Sequence, residues 1–128
     1  MKVLKLISLF TFLCVIMFSC KNSNDTSIEG KYYNEFENNA IHFIDLKKDS
    51  SFVHYYLNKA NGEELEHKGT WNKRATKKDE IKISFKNWED FGPYSDNKKT
   101  LIRSVKLDGN ELVFSYDLRK EMNFHKKD

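Results

Sequence analysis

The sequence predicts an all-β domain, a small antiparallel up-and-down barrel or sandwich of about eight strands, preceded by a signal peptide. Three observations lead there. From Ile28 onward, short runs alternate apolar and polar residues with a period of two. Turn residues interrupt these runs roughly every 10 residues, the spacing of an all-β meander. No window repeats apolar residues at the i, i+3, i+4, i+7 spacing of an amphipathic helix.

Composition sets the frame for these elements. The 128 residues are 39% hydrophobic and 32% charged, with ten Phe, six Tyr and two Trp, which is too aromatic for a disordered chain and enough for one modest core. The formal charge is +3. Lys2 and Lys5 lie in an N-terminal segment without acids, so 20 basic and 19 acidic groups remain from residue 20 onward. A domain carrying a net +1 has no field to concentrate nucleic acid, and no nucleic-acid partner is expected.

The first element is the N-terminal segment. Lys2 and Lys5 form a positive start, and Leu6–Phe18 is an almost uninterrupted apolar stretch of 13 residues. A membrane-spanning helix needs about 20 apolar residues, whereas about 7–15 suit the core of a secretory signal. Ser19 then precedes Cys20. Met17-Phe18-Ser19-Cys20 resembles the lipobox of bacterial lipoprotein precursors, in the relaxed form of Bacteroidota lipoproteins, with Met17 and Phe18 in place of commoner residues. The resemblance implies that Cys20 receives a diacylglyceryl thioether, becomes the new N-terminus and is then acylated. It also implies a protein anchored in the cell envelope, at the outer membrane of a Gram-negative bacterium. Cleavage there removes Cys14, so no Cys14–Cys20 disulfide survives, and two thiols alone do not make a zinc site. Lys21–Ser27 is wholly polar and reads as a tether, with Asp25 as its single acid. The expected division is therefore 1–19 signal peptide, 20–27 lipidated cysteine and tether, and 28–128 β domain.

The strands follow. They are expected at Gly30–Phe36, Ala40–Leu46, Phe52–Leu57, Glu64–Asn72, Glu80–Trp88, Thr100–Leu107, Glu111–Asp117 and Glu121–His125. Ile81, Ile83 and Phe85 point one way while Glu80, Lys82, Ser84 and Lys86 point the other. Leu112, Phe114, Tyr116 and Leu118 form a second such face. Asp108-Gly109-Asn110 is a hairpin turn, and Lys48-Asp49-Ser50 and Asn61-Gly62 are further turn signals.

Across residues 28–125 the chain resembles the small lipocalin-like lipoproteins of Bacteroidota. Three features carry the resemblance: the opening Ile28-Glu29-Gly30-Lys31-Tyr32, the hairpin Ile44–Phe52, and Gly69-Thr70-Trp71 followed by an Ile-x-Ile strand and a closing Leu-Asp-Gly-Asn-Glu-Leu hairpin. It implies a small antiparallel barrel, of a kind usually without a known ligand or activity.

Several residues are candidates for a site. His42 and His54 flank the first hairpin; an even loop sends them to opposite faces, an odd loop brings them together, and two imidazoles still fall short of a zinc set. His67 shares a strand face with Leu65 and Trp71, and Arg103 with Leu101, Val105 and Leu107. Polar groups on apolar faces need partners, so both are candidates to line a barrel mouth and orient a ligand, or to reach water at strand ends. Trp88, Phe91 and Tyr94 cluster around Gly92-Pro93, where loop aromatics either anchor a ligand or partner or cap one end of the barrel. The lysine pairs read as solvated loops.

No His-Glu-x-x-His, Gly-x-Ser-x-Gly or phosphate-cradling loop is present, and no cofactor is implied. The chain is expected not to be an enzyme. The leading expectation is an envelope protein, held in the membrane through Cys20, that binds a small apolar or amphipathic ligand inside or at the mouth of its barrel. The alternative is a protein-binding module, such as an immunity protein or an inhibitor of a toxin or hydrolase, and a purely structural role is the third.

Overall fold

A computed structural model describes residues 27–93, 99–114 and 120–127. The signal segment, Cys20 and the tether up to residue 26 lie outside the described residues, as do Tyr94, Tyr116 and Leu118. Among the described residues, eight strands form a closed antiparallel barrel in meander order: β1 Gly30–Tyr33, β2 Ala40–Leu46, β3 Ser51–Asn58, β4 Glu64–Ala75, β5 Ile81–Glu89, β6 Lys99–Asp108, β7 Glu111–Val113 and β8 Phe124–Lys126. β8 closes the ring by pairing with β1 through Tyr32↔Lys126 and Tyr33↔His125. This is the architecture the alternation predicts, and it is consistent with a lipocalin-like fold.

The turns act through the expected chemistry. Gly109 and Asn110 make a two-residue hairpin between Asp108 and Glu111, with Gly109 at φ 57°. Asp49 accepts from the Ser51 backbone N–H at 2.9 Å, and Ser50 adopts a left-handed φ of 67°. That loop leaves five residues between the paired Leu46 and Phe52, so residues of equal parity on β2 and β3 share a face.

Even residues of β2 and β3 therefore point inward. Ile44, Leu46, Phe52, Ile83, Phe85, Trp88 and Leu112 are almost fully buried, and each such side chain contributes about 1.5–3 kcal/mol from burial. Gly69 leaves space for Phe52: a Cβ there would lie 2.6 Å from the Phe52 ring and 2.4 Å from the Lys86 carbonyl. One end of the barrel is shut by Tyr32, whose hydroxyl donates to the Ile28 carbonyl, and by Trp71, whose indole N–H donates to the Lys47 carbonyl.

Four departures from the sequence reading bear on the site. The first strand ends at Tyr33, not Phe36, because the Asn34 side-chain oxygen accepts from the Phe36 N–H and turns the chain. The last strand does not begin at Glu121: Lys120–Met122 form a 3-10 turn, and Asn123 spends its amide on the Phe114 N–H and the Glu111 carboxylate. The strand from Glu111 runs to Val113, with residues 115–119 outside the described set.

The fourth departure lies in β5 and β6. Asn87 takes a left-handed φ of 59°, which shifts the side-chain alternation so that Phe85 and Trp88, three apart, both face inward. The β4–β5 ladder ends at Thr70↔Lys86, just before this residue. Across the ladder, the shift overturns the expected inward face of β6. Val105 is buried as expected, but Leu101 is 87% exposed and Ile102 60%.

Candidate functional site

The end of the barrel opposite Tyr32 and Trp71 carries the polar chemistry. The odd hairpin loop brings His42 and His54 to the same inner face, with their Nε2 atoms 2.8 Å apart. His54 Nδ1 lies 3.0 Å from the Glu89 backbone oxygen. The His54 ring is held between Trp88, at 4.5 Å and 13° between planes, and Phe91, at 3.9 Å and 14°. His42 meets Tyr56 and Phe124 edge-on. The Tyr56 hydroxyl in turn donates to both Glu37 carboxylate oxygens at about 3 Å.

Burial sets the electrostatics. Removing an imidazolium from water disfavours the charged form, so His42 drops from its ordinary 6.5 to about 4. His54 falls well below 6.5, first through burial and then through the neighbouring His42, against the opposing pull of the Glu89 carbonyl. Both rings are therefore neutral at pH 7. Among the described residues, no group of three or more His, Cys, Asp or Glu side chains is placed to hold a metal ion.

A pocket opens over the pair. Its walls include Asn34, Glu37, Trp88, Asp90, Phe91, Phe114, Glu121, Met122 and Phe124, and its volume is about 30 Å³. A water molecule requires roughly 10–15 Å³, whereas pockets for drug-sized ligands span about 300–1,000 Å³. A closed barrel can in principle enclose a small ligand, but here Phe, Trp and Ile side chains fill the interior. The space over the His42–His54 pair lies at this end of the barrel and has room for a small polar group.

The residues singled out from the sequence fall in different places. Trp88 and Phe91 line the pocket and are buried, 2% and 7% exposed, so they cap the barrel end rather than stand in solvent. The Trp88 indole N–H donates to the Asp90 carboxylate at 2.7 Å. Tyr94 and Cys20 lie outside the described residues. His67 faces inward across from His54 but does not line the pocket. Its ring bridges the gap where β4 and β5 part, reaching the Asn87 carbonyl on one side and the Glu89 carboxylate, at 3.2 Å, on the other. Arg103 lies outside the pocket too: its guanidinium covers the Phe114 ring at 5.7 Å and donates to the Phe114 carbonyl at 3.3 Å.

Sequence reasoning left the His42–His54 pairing open and missed Asn34, Glu37, Glu121 and Phe124 as mouth residues. Asn34 is the link between them: it donates to the Glu121 carbonyl at 2.6 Å, tying the first strand to the 3-10 turn 87 residues away. No short-range pattern carries such a contact. Comparisons with protein-family models, with curated proteins and with solved structures found no match.

Proposed function

We propose that the protein is a lipid-anchored cell-envelope protein that holds the head group of a small amphipathic ligand at the barrel mouth. The observation that carries the binding part is a buried pair of neutral imidazoles at the base of a small aromatic pocket. Buried polar groups are costly, and a site built to hydrogen-bond a ligand is one reason to keep them. The narrow pocket favours a polar head that enters while its apolar tail stays outside. The anchoring part rests on the lipobox-like Met17–Cys20 and the short apolar segment before it. Thioether and amide acylation of Cys20 would give stable attachment, because two or more chains are needed for it.

A protein partner is the second reading, favoured by Leu101 and Ile102, adjacent apolar side chains that both stand in solvent on β6. An immunity protein or inhibitor would use such exposed apolar side chains as contacts.

One experiment addresses the attachment and both readings. The full chain is expressed in a Gram-negative host with labelled palmitate, then recovered and examined by lipidomics and protein mass spectrometry. Label is expected on the native chain and absent from Cys20→Ala; label that survives the substitution overturns the anchor. A co-purifying amphiphile supports the first reading, a stoichiometric protein supports the second, and neither overturns both.

A further inference from the structure

We propose that the mouth selects a primary ammonium head group, so that its ligand is a small amphipathic amine. This inference rests on the mouth being a ligand site and names the chemistry that the site would take.

The Glu89 carbonyl sets the direction of the hydrogen bonds. A backbone carbonyl can only accept, so at Glu89 the proton is on His54 Nδ1. A neutral imidazole carries one N–H, which leaves His54 Nε2 a bare lone pair. The 2.8 Å contact then requires His42 Nε2 to donate. His42 is neutral as well, so its Nδ1 is a lone pair and nothing else. The Glu89 carbonyl thus fixes the tautomers of two rings in series and delivers a pure acceptor to the pocket. Among the described residues this nitrogen has no hydrogen-bond partner, and it sits beside Gly92, whose missing Cβ would lie only 3.6 Å from it. His42 is itself only 9% exposed. His42 is among the residues that line the pocket, as is Gly92 beside its Nδ1.

The surroundings select among donors. Glu37, Asp90 and Glu121 contribute to the pocket wall, and among the described residues no Lys or Arg does. Trp88, Phe91 and Phe124 offer ring faces and edges, and ring faces attract a cation. A carboxylate head would meet three acids and an acceptor it cannot bond. A hydroxyl could donate to His42 but gains nothing from the acids. A quaternary ammonium keeps the charge yet has no N–H to offer, and it is bulky for a cavity of about 30 Å³. A primary ammonium satisfies all three demands: charge, donors and size.

The test uses the unaltered full chain and four ligands that share one tail: hexylamine, hexanol, hexanoate and hexyltrimethylammonium, titrated by calorimetry at pH 7. Hexylamine is expected to bind at least about tenfold more tightly than each of the others, from the combined charge, hydrogen-bond and ring terms. In His42→Phe, checked for folding by circular dichroism, that preference should shrink severalfold, the acids and rings that remain sustaining the rest. Equal binding of all four, or tighter binding of the alcohol or the acid, overturns the amine assignment while leaving the mouth as a ligand site. Failure of all four to bind overturns the mouth itself. A preference for the amine that persists undiminished in a folded His42→Phe variant also overturns the assignment, since the acceptor would then lie elsewhere.

Discussion

At the scale of single residues, His42 and His54 decide how the protein responds to acid. In the unfolded chain each imidazole takes up a proton near its ordinary 6.5, whereas folded His42 holds out until about 4 and folded His54 also titrates well below 6.5. Between those limits the unfolded state binds more protons than the native state, so stability rises with pH through this window and is lost as pH falls. For His42 alone the loss is on the order of 1 kcal/mol per pH unit, as one displaced titration allows. Urea denaturation from pH 7 to pH 4 should therefore show a falling midpoint, and His42→Phe should flatten the fall. A midpoint independent of pH would mean that the rings are not buried neutral. The pair was only half legible in the sequence. The residue types were visible, but whether they met depended on the parity of the Lys47–Ser51 loop, which is set by the left-handed backbone of Ser50, a residue with no intrinsic preference for that conformation.

At the scale of elements, β5 shows how one backbone torsion repositions a strand. The alternation of Ile81, Ile83 and Phe85 announces an inward face, and those residues pack as the pattern requires. Continued without interruption, the pattern would turn Trp88 outward and Leu101 inward. Asn87 reverses both. Asparagine tolerates the left-handed region better than most residues but does not announce it as glycine would, so the break could not be read from the chain. A branched side chain fits that torsion poorly. Asn87→Val should cost about 1–2 kcal/mol and weaken the Trp88 stack, whereas Asn87→Gly should be close to neutral. Thermal denaturation together with the near-ultraviolet signal of Trp88 checks both; equal tolerance of the two substitutions would show that the torsion does not set the strand.

For the whole molecule, the lengths of the strands forecast where the barrel opens. β4, β5 and β6 run 12, 9 and 10 residues and pair over most of their length, while β7 and β8 have three residues each. Closure from β8 to β1 relies on two paired positions, reinforced by Lys126, whose ammonium donates to the Ser27 and Glu29 carbonyls. Local opening should start at this seam. Amide hydrogen exchange is expected to be fastest in Glu111–Val113 and Phe124–Lys126 and slowest in Ile81–Phe85; uniform protection would contradict this order. The class of fold and most strand positions were legible because a period of two and the Asp108-Gly109-Asn110 turn are local signals. The seam was not, because the 3-10 turn at Lys120–Met122 is held by Asn34 from the far end of the chain.

Closure of the strand ladder has a further consequence. An open sheet ends in rows of unsatisfied amides and carbonyls that can recruit a neighbouring chain. Here β1 and β8 consume each other's edges. If the chain is tethered as proposed, its copies are confined to a plane, where encounters are frequent and orientations restricted. Under that crowding a ring of strands can be packed densely without seeding fibrils along the membrane.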